Sequence, residues 1–384
     1  MHPDRGWPVP SGPEAHSLRQ LGSVYLGSAC ILLALAGGCE RAPSSGGPLE
    51  VEVRFGEVGS NPGQFSYPRC LDSDGDGLWV IDKMARVQKL SPEGDCLGGW
   101  RMPEWENGKP TGITVWTPPA GGPTRVFIPD THYHRVMIYD PAGMSPPDGL
   151  NEGKGTLLAS FGSYGEGDGQ FIYLTDVAVL ATADGKGIAR LYVCEYGGHD
   201  RISAFRPRAG QTPGMETQFE FEFAFGRFGS GEAADPVEFN RPQSIEIDPV
   251  TGELVVTDAC NHRIGIFTPE GRLVRWIGGR SRAGREVGQM SYPYGLVLLG
   301  DRTAMVAEFG SNRVQRFDLV TGDSLGVFGE AGRRAGQLAS PWAVCLEGSR
   351  VFVLDSGNNR LQAFGRPPAK RRVGASGDLG RGPG

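Results

Sequence analysis

A motif that recurs six times constrains this chain more than any other feature. It is an acid, a short polar loop, an arginine and then an alternating strand. The copies read DKMARVQKL from Asp82, DTHYHRVMIY from Asp130, EYGGHDRISAF from Glu195, DACNHRIGIF from Asp258, EFGSNRVQRF from Glu308 and DSGNNRLQAF from Asp355. A second marker, a Gly-rich approach such as FGEVGSNPGQFSYP, precedes five of them, starting at Phe55, Phe161, Phe228, Gly278 and Phe328; the second copy has WRMPEWENGKP instead. The whole unit is clearest over residues 244–279. SIEIDP, LVVTD, RIGIF and RLVRWIG are short runs rich in Val, Ile and Phe, parted by turn residues. They predict a four-stranded antiparallel meander of about fifty residues.

One such sheet cannot bury both faces, so neighbouring sheets must stack, and radial stacking that closes leaves only short, protected edges. The two markers, with GQF…P followed by a hydrophobic strand, an acid and N-x-R or a close variant, resemble NHL repeats. Six of them resemble a six-bladed β-propeller. The expected fold class is therefore all-β: six four-stranded antiparallel blades over residues 49–366. The sixth unit ends its third strand at RLQAF and runs into GRPPAKRR, while PLEVEVRFG near the start is an alternating strand with no other home. Residues 49–55 are expected to complete the last blade and close the ring.

Composition matters at two points. Sixty glycines and 29 prolines fit an all-β chain with frequent turns, and a net charge of −6 from 38 basic and 44 acidic residues argues against a nucleic-acid partner. Residues 1–39 read as a secretory signal, with an apolar run over 21–38 followed by Cys39. LALAGGC resembles the bacterial lipobox, which implies lipidation of Cys39; the competing reading is an uncleaved anchor. Either way the ring is expected outside the cytoplasm, membrane-anchored in the cell envelope, behind a flexible tether over 40–48. Residues 367–384 form a basic tail without apolar pattern, expected to be disordered, with contact to an anionic envelope as the sharper alternative.

Cys70, Cys96, Cys194, Cys260 and Cys345 remain in the ring and give no disulfide framework. Cys70 and Cys345 fall on innermost strands of neighbouring blades, where a bridge is conceivable but buried free thiols are expected. The recurrent Arg86, Arg135, Arg201, Arg263, Arg313 and Arg360 read as architecture, because what every blade has is what every blade needs; each guanidinium can hold its bend's carboxylate and nearby carbonyls.

Two groups of residues are of metal-binding type. DSDGDG, Asp72 to Gly77, spaces its acids like a calcium loop, but Lys83 stands where such a loop ends in Glu, and the string falls at a hairpin turn. His134, His199 and His262, with His132 nearby, occupy nearly equivalent places in blades 2, 3 and 4. Peptidylglycine amidating lyases, similar in fold, use three His on a catalytic zinc. Here the sixfold geometry is expected to hold these bends, outside the mouth, roughly 10 Å or more apart, against about 2 Å for a Zn–N bond. No cofactor is expected, zinc and calcium being the alternatives.

The informative positions are those at which blades differ. The residue after the proline that opens each innermost strand should line the mouth of the axial channel: Arg69, Thr111, Thr175, Gln243, Tyr294 and Trp342, with Asp176 one step further. Arg69, Asp176, Gln243, Tyr294 and Trp342 are the candidate ligand-binding rim, since aromatic plates beside polar groups suit a peptide or sugar. The competing reading is that the large residues plug the channel. Long insertions from Ala142 and Arg206 offer a second candidate surface on the opposite face, or tolerated slack. The expected function is a monomeric, non-enzymatic scaffold for a protein, peptide or glycan. The alternative is a metal-dependent lyase or hydrolase working at the channel mouth.

Overall fold

The computed structural model of the chain describes residues 50–279 and 283–370. Each repeat is one antiparallel sheet whose strands follow in chain order. Blade 1 comprises Pro68–Ser73, Leu78–Asp82, Arg86–Leu90 and Cys96–Arg101; blade 2, Thr114–Trp116, Arg125–Asp130, Arg135–Asp140 and Thr156–Phe161. Blade 3 comprises Tyr173–Ala181, Ile188–Tyr196, Arg201–Pro207 and Phe219–Phe225; blade 4, Pro242–Ile247, Leu254–Asp258, Arg263–Phe267 and Leu273–Gly278. Blade 5 comprises Pro293–Leu298, Thr303–Glu308, Arg313–Asp318 and Ser324–Phe328; blade 6, Ala343–Glu347, Arg350–Asp355, Arg360–Gly365 and, from the other end of the chain, Val53–Phe55. First strands of adjacent blades touch all the way round, from blade 1 to blade 6 and back to blade 1. The fold is a closed six-bladed propeller. Among the described residues no helix is long and apolar enough to cross a membrane.

Closure follows the expected route. Val53 lies opposite Ala363 and Phe55 opposite Leu361 in an antiparallel pair, and the Glu52 amide donates to the Ala363 carbonyl at 2.9 Å. The apolar residues of each strand face the neighbouring sheet, so the core is divided among the interfaces between blades. Between blades 1 and 2, Trp79, Trp100 and Tyr139 pack with ring centroids 5.8 and 5.0 Å apart. Between blades 3 and 4 the cluster is Phe225, Phe239, Phe267 and Trp276. Because apolar burial is satisfied between the sheets, the axis is left free to carry polar groups.

Segments outside the blade strands are also held against the ring. The insertion after Ala142 is not a free loop: Ser145 exchanges backbone hydrogen bonds with Gly99 at 2.9 Å in both directions, Leu150 is fully buried, and the Arg101 amide donates to Gly153. It covers the open edge of blade 1, which would otherwise present unpaired amides and carbonyls. The insertion after Arg206 likewise tucks Glu216 inward, where it accepts from the Ile188 amide at 3.1 Å. The start of the basic tail is also held. Arg316 donates to the Pro368 carbonyl at 2.8 Å, the Lys370 amide donates to Asp301 at 2.9 Å, and the Lys370 ammonium pairs with Asp318. Cys39, the leader, the tether and residues 371–384 lie outside the described residues.

Candidate functional site

The repeated arginines are staples. In blade 4 Arg263 Nε meets Asp258 at 2.8 Å, while its Nη atoms donate to the carbonyls of Gly231 at 2.9 Å and Glu238 at 2.7 Å. Blade 6 repeats this: Arg360 pairs with Asp355 at 2.7 Å and donates to Arg333, Arg334 and Gln337 carbonyls at 2.8–2.9 Å. Arg86, Arg201 and Arg313 do the same with Asp82, Glu195 and Glu308 and with the approach loops before their blades. The approach loop is thus folded around a guanidinium, which explains why both markers travel together. Its glycine has a reason too. Gly56 has φ +91°, and a Cβ there would sit 2.4 Å from the Phe65 ring. Blade 2 has no such loop. Arg135 there pairs with Asp130 at 3.0 Å and reaches Glu104 at 2.8 Å, with 22% of its side chain exposed.

In every blade but the first, where Ala85 stands, the side chain before the arginine joins one blade to the next. Asn359 accepts from the Tyr67 amide at 2.6 Å, Asn312 from Ser340 at 2.7 Å, His262 Nδ1 from Tyr292 at 3.2 Å, and Asp200 from Arg241 at 2.5 Å; His134 Nδ1 meets the Ile172 carbonyl. His134, His262, Asn312 and Asn359 adopt φ of 54–57°, a left-handed conformation that Asn and His tolerate. This places His134 and His262 as clamps between blades, and burial lowers the His262 pKa. Among the described residues no three His, Cys, Asp or Glu groups stand close enough to share one metal ion. The acids of DSDGDG diverge: Asp74 pairs with Lys89 at 2.8 Å and accepts from Trp79 Nε1 at 2.9 Å, whereas Asp72 lines the axis and accepts from the Val115 amide at 2.6 Å.

Arg69, Asp176, Gln243, Tyr294 and Trp342 all line one axial cavity of about 340 Å³; Thr111 joins them. Tyr294 and Trp342 meet edge to face at 4.9 Å, and the Arg69 guanidinium lies 5.0 Å from the Trp342 ring. The rim is larger than the strand-opening positions suggest. Phe309 stacks on Tyr294 at 4.7 Å, and Arg241 lies between Tyr294 and Tyr196, 5.3 and 4.7 Å from their centroids. Tyr196 continues to Tyr173 at 5.3 Å, then through His134 to Tyr164; on the other side Trp342 continues to Tyr67 at 6.0 Å. The result is a horseshoe of rings and guanidinium groups with its two ends at Tyr67 and Tyr164. Phe309 and Tyr196 each follow the acid of a bend, so the bends reach the mouth and do not stand outside it. That position was the available sequence signal, as was the residue before each strand-opening proline, which supplies Tyr67 and Arg241.

Residues 239–267 match the NHL repeat. The chain is a six-bladed β-propeller carrying an NHL repeat in blade 4. Peptidyl-glycine alpha-amidating monooxygenase B of Xenopus laevis is 32% identical over 93 residues, which cover 23% of this chain and 11% of that protein's length. The match thus spans about a tenth of the relative. Among solved structures, a protein of unknown function from Bacteroides thetaiotaomicron VPI-5482 aligns with a TM-score of 0.53 at 12% identity, over 83% of this chain and 75% of the other. Raptor of Chaetomium thermophilum aligns with a TM-score of 0.51 at 9% identity, over 84% of this chain and 30% of that one. At these identities the likeness is one of fold.

Inside the ring, the mouth and the depth differ in character. Gln243 and Trp342 are 2% and 7% exposed, yet Gln243 Nε2, Trp342 Nε1 and Arg69 Nε donate to no protein acceptor. Deeper, Asp72, Asp176 and Glu246 line both this cavity and a second one of about 190 Å³. Burial pushes the carboxyls of Asp72 and Asp176 up to about 7 against the backbone amides that hydrogen-bond to them, and burial with the charges of those two raises Glu246 well above the usual range. Asp176 also ties blade 3 to blade 4, accepting from Ser244 Oγ at 2.9 Å and the Ile245 amide at 3.0 Å. Cys70 and Cys345 are buried free thiols beside these acids, as are the other three cysteines free, and burial raises both.

Proposed function

We propose that this propeller is a non-enzymatic binding scaffold that takes a protein segment, peptide or glycan across the horseshoe at the channel mouth. The supporting observation is the pair of buried donors, Gln243 Nε2 and Trp342 Nε1, left without acceptors beside a face of aromatic rings. Unmet buried donors cost about 1–3 kcal/mol each, so their concentration at the mouth fits a ligand that supplies carbonyl or hydroxyl oxygens. Aromatic plates contribute area with little entropy loss, and the cavity volume is at the small end of ligand pockets. Under this reading Arg69 and Arg241 orient acceptors, Tyr294 and Trp342 are the plates, and Asp176 marks the inner limit of the rim.

The same reading keeps the protein monomeric, outside the cytoplasm, held to the membrane through a lipid on Cys39, and without a nucleic-acid partner. Binding of the full chain to peptide and glycan arrays, compared with Trp342→Phe and Gln243→Leu, tests it. Loss of a ligand on both substitutions is expected; a ligand set that neither substitution alters removes the mouth from consideration. Metal analysis of the same preparation separates this reading from a metal-dependent lyase or hydrolase. Radiolabelled palmitate should enter the wild type and not Cys39→Ala.

A further inference from the structure

We propose that the axial cavity is a receptor for the ammonium group of a lysine side chain, presented by a peptide whose backbone lies across the mouth. This rests on the scaffold reading above and names its ligand class. The inner part of the cavity carries Asp72, Asp176 and Glu246, contributed by blades 1, 3 and 4, whereas Arg69 at the mouth is the single cation among its described lining residues. Asp72 and Asp176 have backbone amides as partners, whereas the Glu246 carboxyl is shifted by burial and by those two acids and by no hydrogen bond. Three carboxylates sharing a confined space with no cation between them are repulsive, and a cation entering from the mouth relieves that repulsion.

Two separate observations select a peptide lysine over a bare ion. No three of these groups converge closely enough to chelate a metal among the described residues, so a cation that is satisfied by longer charge contacts and hydrogen bonds fits better. At the other end of the same cavity, Gln243 Nε2 and Trp342 Nε1, both more than nine-tenths buried, await acceptors. A ligand that is acceptor-rich at one end and cationic at the other matches this polarity, and a peptide bond joined to a four-carbon stem and an ammonium has both. Leu71, Ile113 and Leu296 along the wall suit the stem. A cavity of about 340 Å³ accommodates one such side chain.

Recognition of this kind depends on pH. The carboxyls that titrate near 7 are neutral below it, so cation preference is present above about pH 7 and lost as pH falls. The other groups facing them are the thiols of Cys70, Cys194 and Cys345, the carboxylates of Asp74 and Glu347, and Arg69 with its neighbour Arg241. The thiols are held protonated by burial and do not reverse the sign.

The test uses the full chain and immobilised pentapeptide pools with randomised flanks and a fixed central lysine, ε-acetyl-lysine, norleucine or glutamate. At pH 8 the lysine pool should bind at least tenfold more tightly than the norleucine and acetyl-lysine pools, and the preference should vanish at pH 5.5. Glu246→Gln should abolish the preference for lysine over norleucine; Trp342→Phe should weaken every pool alike. Asp72→Asn serves as a second variant if Glu246→Gln does not fold. Equal binding of lysine and norleucine pools, sensitive to Trp342→Phe, overturns this inference and leaves the scaffold reading standing. Failure of all pools overturns the peptide ligand, whether or not a glucosamine oligomer then binds in a Glu246-dependent way; failure of all pools and of glycans overturns both readings.

Discussion

The bend of blade 4 and the wall of the axial cavity are both crowded with charge, but they handle it in opposite ways. At the bend, Asp258 and Arg263 are nearly inaccessible and fully matched: the carboxylate has its guanidinium, and the guanidinium has two carbonyls besides. At the axis, three acids face a space with a single arginine, and amide and indole donors point at no acceptor. The first arrangement recurs around the ring; the second is made from residues that differ from blade to blade. Charge that is satisfied within the chain holds the fold, while charge and donors left unsatisfied cost it stability and are the features on which the proposed ligand site rests.

The largest expected effect that can break this comparison is at the staples. Arg263→Ala strands a buried Asp258 and should cost about 3–5 kcal/mol in urea unfolding. Arg135→Ala, in the blade without an approach loop, should cost about 1–2 kcal/mol, because Arg135 is partly exposed and has no approach-loop carbonyls to give up. Equal losses at the two sites would mean that the carbonyl cage contributes nothing. Next comes the clamp at the ring's seam. Asn359→Ala removes the acceptor for the Tyr67 amide and puts alanine at φ +54°, so a loss of about 1–3 kcal/mol is expected, with faster exchange of amides in residues 53–55. Smallest in stability is Trp342→Phe, which keeps a ring and deletes an unpartnered donor. Its unfolding free energy should change by less than about 1 kcal/mol while ligand capture falls.

Much of the fold could be read from the chain because each constraint is local and repeated. An acid four to six residues before an arginine fixes a bend, GQF fixes the loop that wraps it, and an orphan strand at the start fits the gap at the end. Four of the five candidate rim residues were reachable because a proline stands one position before them, and Asp176 because Leu174 aligns with those prolines. Phe309 and Tyr196 were missed since a bend read only as a staple gives no reason to look at the residue after its acid, and Tyr173 since attention went to the residue after the strand opening and not to the one before it. Glu246 was missed for a different reason. In SIEIDP it is an ordinary polar member of an alternating strand, and only the closure of the ring brings it against Asp72 and Asp176 from blades far away in sequence. The fold of the insertion after Ala142 along Gly99 was likewise invisible, because a Gly- and Pro-rich stretch carries no register of its own.

The most direct test of the contrast between a matched periphery and an unmatched axis is the melting temperature of Glu246→Gln against the wild type from pH 5 to pH 8. Asp72 and Asp176 keep their protons to about pH 7 in the fold but release them near 4 when unfolded, so the folded state binds more protons in between and stability falls as pH rises through that window. Removing a third like charge should shrink that fall, leaving Glu246→Gln equal to the wild type at pH 5 and more stable at pH 8. A variant less stable than the wild type at both pH values, as a staple variant would be, contradicts the account.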